Sequence, residues 1–161
     1  MKNKKWMIYG ANGYTARLIA KQAQKRGLQP ILAGRNQAYI ESIAAQAGFD
    51  SRVFNLDDKA EINKALEGVS IVLHCAGPFS ATSQPMLEAC LEKACHYLDI
   101  TGEISVFANA YRQSDEARRA DIVLMPGVGF DVVPTDCLAA TLVEALPAAT
   151  SMALAFESGG R

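Results

Sequence analysis

The chain has 161 residues, half of them hydrophobic, with 16 basic and 17 acidic side chains and a net charge of −1. That length can bury the core of one domain, and that hydrophobic content excludes a disordered chain. Acid and base are interspersed, which leaves no basic footprint for nucleic acid or an anionic membrane, and no apolar run approaches the ~20 residues of a membrane span.

The first predicted element is a strand, Trp6 to Tyr9, after the basic start Lys2-Asn3-Lys4-Lys5. It is too short for the apolar region of a signal peptide, and Gly10 and Gly13 interrupt it. The stretch Met7-Ile8-Tyr9-Gly10-Ala11-Asn12-Gly13-Tyr14-Thr15-Ala16 reads as strand, glycine turn and helix start. Its spacing, G-x-x-G-x-x-A, is a variant of the dinucleotide fingerprint. A helix N-terminus presents free N–H groups and a positive dipole end to a pyrophosphate. Gly10 would make the tight turn, Gly13 would let the backbone approach the phosphates, and Ala16 would let helix and strand pack closely. Asn12, Tyr14 and Thr15 share the turn as cofactor-binding candidates; Thr15 could add a hydroxyl to the cradle or cap the helix.

A helical face of Ala16, Ile19, Ala20 and Ala23 follows and stops at Gly27. The second strand is Ile31-Leu32-Ala33, ending at Gly34-Arg35. Asn36 can cap a second helix carrying Ile40, Ile43, Ala44 and Ala47, and Arg52-Val53-Phe54 is a third strand. Asp57 or Asp58 caps a short helix with Ile62, Ala65 and Leu66. Val69 to Cys75 is an almost continuous apolar strand, as in a parallel sheet covered on both faces. Ser83 is expected to cap the next helix, with Pro85 in its first turn and Met86, Leu87, Cys90, Leu91 and Ala94 inward. Tyr97 to Ile100 is the fifth strand, Glu103 to Arg119 the fifth helix and Asp121 to Met125 the sixth strand. This alternation means a Rossmann-type, doubly wound α/β parallel sheet.

The tail differs. Pro126 to Asp131 is turn-rich. A helix beginning at Pro134 or Thr135 would turn Leu138, Thr141, Leu142 and Ala145 inward, and Ser151 to Phe156 reads as a strand. Residues 1–146 are therefore expected to form a dinucleotide-binding domain, with 147–161 as the entry to a second domain that the sequence does not contain. The cysteines, Cys75, Cys90, Cys95 and Cys137, include no C-x-x-C pair, and only two histidines accompany them, so no metal site is expected. They read as reduced core thiols of a cytoplasmic protein.

In such a sheet ligands bind beyond the carboxyl ends of the strands. After the second strand an NAD site carries an acid for the ribose 2′-hydroxyl; here Arg35 stands there, and a guanidinium can grip a 2′-phosphate, so NADP is favoured over NAD. Asp57 could accept from the adenine amino group or serve only as a helix cap. His74 precedes the strand end and reads as a strand residue rather than a catalytic base. Cys75, Ala76 and Gly77 are small enough for backbone to lie against the cofactor, and Pro78 and Phe79 continue toward the substrate. Thr101, Glu103 and Asp131 are further substrate-side candidates, although Glu103, like Asp136, also suits a helix N-terminus. No conventional acid–base pair stands out, so no catalytic residue is assigned.

These stretches together resemble one family. Met7 to Ala16, "AGR" at Ala33 to Arg35, "CAGPF" at Cys75 to Phe79, "YLDITGE" at Tyr97 to Glu103 and "PGVGFDVVPTDCLA" at Pro126 to Ala139 are similar to the N-terminal half of the saccharopine dehydrogenase-like oxidoreductases. The resemblance implies an NADP-binding Rossmann domain, and hydride transfer between the nicotinamide cofactor and a small-molecule substrate it does not identify. It also implies a following α+β domain that completes the substrate site and often mediates dimerisation, hence a homodimer. Family members include saccharopine reductases and enoyl reductases of lipid intermediates. A non-catalytic NADP sensor and a purely structural domain are the competing readings. A short-chain dehydrogenase mechanism lacks its residues, because none of the five tyrosines is followed four residues later by lysine.

Overall fold

The computed structural model describes residues 5–155. Strand β1 (Lys5–Tyr9) lies between β2 (Ile31–Gly34) and β4 (Val69–His74), parallel to both. β3 (Ser51–Val53) extends the sheet past β2; β5 (His96–Asp99) and the two-residue β6 (Leu124–Met125) extend it past β4. The order β3-β2-β1-β4-β5-β6 reverses its winding between β1 and β4, which is the doubly wound α/β sheet the sequence predicts.

The strand period explains the two cores. Met7, Tyr9, Ile31 and Ala33 face one side, where they pack with Val72, Tyr97, Ile62 of α3 (Lys59–Ala65), Met86 and Leu87 of α4 (Phe79–Glu92) and Ala110 of α5 (Ile104–Arg112). Ile8 and Leu32 face the other side, against Ala16 and Ala23 of α1 (Tyr14–Lys25) and Ile40 and Ala44 of α2 (Gln37–Ala47). Full burial of a side chain such as Ile8 or Leu32 contributes roughly 1.5–3 kcal/mol, so a central strand buried on both faces carries much of the fold's stability. Asn36 caps α2 by accepting from Tyr39 N–H at 3.1 Å, and Gly48, at φ 72°, ends it. Asp58, not Asp57, caps α3, accepting from Ala60 N–H at 2.8 Å and Glu61 N–H at 3.2 Å.

Several sequence expectations need correction. α4 begins at Phe79, so Ser83 lies buried inside it and Pro85 is interior. The proline forgoes the bond to the carbonyl of Ala81, an exposed residue. The helix predicted over 103–119 is two, α5 and α6 (Ser114–Arg119), broken at Gln113, where the Ser114 hydroxyl donates to the Tyr111 carbonyl at 2.5 Å. α7 (Val133–Ala145) buries none of its residues; Leu138 and Val143 are more than half exposed, so its apolar side is left largely open. Residues 151–155 form no strand, and Phe156 lies outside the described residues. Cys90 and Cys95 are buried and Cys75 half-buried, but Cys137 on α7 is exposed; none of the four is in a disulfide. No helix among the described residues is long and apolar enough to cross a membrane.

Candidate functional site

The chain leaves β1 at Gly10, whose φ of +79° suits glycine. Gly10 N–H and Ala11 N–H both donate to the Ala33 carbonyl, at 2.9 and 3.0 Å, which anchors the turn to β2. Gly13 N–H closes the turn on the Gly10 carbonyl at 2.9 Å. A Cβ on Gly10 would lie 2.8 Å from both Cβ and N of Ala76, so the ends of β1 and β4 approach too closely for any side chain. Gly13 is the N-cap of α1 and makes no side-chain cap. Among the described residues the amides of Tyr14, Thr15 and Ala16 have no acceptor, and no acid stands in the first turn. An open helix N-terminus at the winding reversal of the sheet suits an anion.

A cleft of about 490 Å³ opens there. Of the residues the sequence nominates, Gly10, Asn12, Gly13, Arg35 and Asp57 line it. Cys75, Ala76, Gly77 and Pro78 line it too. Tyr14 and Thr15 do not line it; both are exposed on the first turn of α1, which leaves them only their backbone amides to offer. Arg35 is exposed and forms no ion pair with a described carboxylate. Asp57 accepts from the Asn55 amide at 2.8 Å, so Asn55 orients its carboxylate.

Asn55 and Leu56, which lead into Asp57 after the third strand, line the cleft as well, and the sequence reading missed Tyr9 and Thr82, which also line it. Tyr9 ends β1 and forms part of the cleft floor, its ring 4.8 Å from Phe54 and 5.5 Å from His74, centroid to centroid. Burial pushes its hydroxyl up to about 12; the Arg35 charge pulls it down in part and the Asp57 charge adds to the rise. The alternation that sets Met7 and Tyr9 on one face was the available signal. His74 is wholly buried, and burial pushes it down to about 3, so the ring is neutral at physiological pH. Its Nε2 lies 3.0 Å from the Thr82 hydroxyl, which donates to the Ala76 carbonyl at 2.5 Å. The same hydroxyl lies 3.0 Å from the Pro78 carbonyl; with its proton on either carbonyl, the Nε2–H tautomer completes the bond, and the buried neutral His74 supports this wall rather than acting as a base. Burial, reinforced by the Asp99 charge, pushes the Cys75 thiol up to about 12, so it is not a thiolate nucleophile.

The substrate-side candidates fall outside the cleft lining, Pro78 excepted. Phe79 opens α4 and presents its ring edge to His74 at 5.5 Å. Asp99 is wholly buried and accepts from the Tyr97 hydroxyl at 2.7 Å, Gly127 N–H at 2.9 Å and Thr101 N–H at 3.0 Å. Thr101 is also buried, its hydroxyl accepting from Glu103 N–H at 3.0 Å, so it faces the loop framework and not a substrate. Glu103 accepts from Phe79 N–H at 2.7 Å and Ser80 N–H at 2.8 Å. The Ser80 hydroxyl first, and these two amides after it, hold its carboxyl below the usual glutamate range. Asp131 is exposed, with one oxygen where a Cβ on Gly102 would come within 2.6 Å. Among the described residues no cluster of His, Cys, Asp and Glu could hold a metal ion. A larger cavity of about 640 Å³ lies beside α5, α6 and β6, but it has neither a glycine turn nor an open helix N-terminus.

The residues present fit a 2′-phosphorylated dinucleotide: a glycine cradle that a Cβ would fill, an open helix N-terminus for the pyrophosphate and, one strand away, a guanidinium with no ion pair among the described residues. A family model described as the saccharopine dehydrogenase NADP binding domain matches residues 6–125. A saccharopine dehydrogenase-like oxidoreductase of Bos taurus is 21% identical over 150 residues, covering 81% of this chain and 35% of that protein. A protein of Arabidopsis thaliana described as a probable mitochondrial saccharopine dehydrogenase-like oxidoreductase is 25% identical over 147 residues, covering 81% of this chain and 32% of its own length. The chain thus spans about a third of these relatives. Among solved structures, the apo saccharopine dehydrogenase (L-Glu forming) of Saccharomyces cerevisiae superposes with a TM-score of 0.78 at 14% identity, covering 90% of this chain and 32% of that one.

Proposed function

For a chain that belongs to the saccharopine dehydrogenase NADP binding domain family, with NADP(H) as its cofactor, we propose that the cleft at the β1–β4 reversal is where the cofactor sits. Arg35 would grip the 2′-phosphate and Asp57, held by Asn55, would accept from the adenine amino group. The turn at Gly10 and Gly13 and the open amides of α1 would hold the pyrophosphate, and Cys75 to Pro78 would lie along the nicotinamide half. The bound nicotinamide supplies or accepts a hydride; this chain's part is to bind it, orient it and form one wall that excludes water. We further propose that the whole protein is an oxidoreductase acting on a small molecule. The observation that carries the reading is the convergence on one cleft of an open helix N-terminus and a guanidinium free of described carboxylates.

The test is Arg35→Ala. A charge-assisted hydrogen bond contributes about 1.5–3 kcal/mol, less where solvent screens it, so NADPH should weaken by roughly tenfold while NADH stays nearly unchanged. Calorimetric titration of both cofactors checks this; equal losses would mean that Arg35 does not read the 2′-phosphate.

The sensor reading uses the same cleft. It is favoured by one observation, that the polar groups of the substrate side, Asp99, Thr101 and Glu103, are engaged in hydrogen bonds within the chain. The division near residue 146 is supported by the unpacked apolar side of α7, which suits contact with a second unit or a second copy of the chain. Four thiols outside any disulfide support a reducing compartment such as the cytoplasm.

A further inference from the structure

Two helix N-termini stand near the cofactor cleft, and the chain treats them oppositely. At α4 each of the first four amides has an acceptor: Phe79 and Ser80 N–H donate to the two Glu103 oxygens at 2.7 and 2.8 Å, and Ala81 and Thr82 N–H reach the Pro78 carbonyl at 3.1 and 3.2 Å. At α1 the amides of Tyr14, Thr15 and Ala16 have none among the described residues. Glu103 arrives from the loop after β5, 24 residues beyond Phe79. Its backbone is fixed by the buried Thr101 hydroxyl, and Thr101 is fixed by the buried Asp99 carboxylate. The carboxylate is therefore aimed by a buried framework.

We propose that Glu103 is a positioning residue of the cofactor site, a built-in anion that fills the N-terminus of α4. It clamps the Gly77–Pro78 turn, which lines the nicotinamide half of the cleft, to the β5 loop. It also leaves the cofactor's pyrophosphate to α1, because an α4 terminus without Glu103 would offer a second anion position just beyond the cleft's Pro78 edge. This proposal rests on the NADP(H) reading of the cleft.

The test compares Glu103→Ala with Glu103→Gln, using sodium formate as a probe for the vacated carboxylate position. Glu103→Ala should bind NADPH about tenfold more weakly, the scale of one lost charge-assisted contact. Formate should restore much of that affinity and raise the melting temperature of Glu103→Ala. It should do neither for the parent chain nor for Glu103→Gln, whose amide fills the space. A structural residue with no special place for an anion would show no formate response. The proposal is overturned if Glu103→Ala binds NADPH like the parent, or if its losses ignore formate. Should Glu103→Ala not fold, Glu103→Gln decides, and unchanged NADPH affinity there overturns the proposal. If the parent chain does not bind NADPH while formate still raises the melting temperature of Glu103→Ala, the cofactor reading fails and the α4 clamp survives it.

Discussion

Gly13→Val should fold and yet lose NADPH by about a hundredfold or more. Gly13 sits at φ −71° and ψ 158°, extended backbone that valine adopts readily, so no backbone strain opposes the change. Its Cβ would lie 3.9 Å from the Cys75 carbonyl, ordinary contact, and 3.2 Å from the Gly10 carbonyl, which must give by a few tenths of an ångström for the variant to fold. The branched methyls would then occupy the approach to the open amides of α1, and the pyrophosphate would lose more than one charge-assisted hydrogen bond. Calorimetry on the folded variant, with circular dichroism to confirm folding, checks both halves. Unchanged NADPH affinity would remove the glycine turn from the site.

Gly10→Ala should fail differently, through stability. Residue 10 is at φ +79°, where a Cβ costs roughly 1–2 kcal/mol. The methyl would also stand 2.8 Å from Ala76 N, and backbone cannot swing away as a long side chain can. Overpacking of this kind costs about 1–3 kcal/mol. The sum is on the order of 3 kcal/mol, which for a chain of this size lowers the melting temperature by about 10 °C. Differential scanning calorimetry reads it, and a melting temperature within a degree or two of the parent would contradict the close approach of β1 to β4. The contrast is diagnostic: two glycines three positions apart, one needed for the fold and one for the ligand.

That contrast was half legible in the sequence. The order strand, Gly10, Gly13, helix is local, and local patterns of period and turn chemistry are what a sequence displays directly. The αL conformation of Gly10 and the collision with Ala76 depend on how β4 lies beside β1, some 66 positions away, and no spacing rule carries that. The same limit explains α4. Ser83 and Pro85 look like a helix start, but the acceptor that starts the helix at Phe79 is supplied by Glu103 from another loop. Asp57 and Asp58 are equivalent candidates in sequence; the structure gives the cap to Asp58 and frees Asp57 to line the cleft beside Arg35. α7 shows the opposite failure, for its apolar spacing was read as facing inward and none of its residues is buried.

The central claim is that this cleft holds a dinucleotide and reads its 2′-phosphate. The direct measurement is parallel calorimetric titration of the unaltered chain with NADPH and with NADH in the same buffer. Saturable NADPH binding is expected at one site per chain, with NADH weaker by about tenfold or more, the value of a gripped 2′-phosphate at an exposed guanidinium. Equal affinities for the two cofactors, or no saturable binding of NADPH, would contradict it.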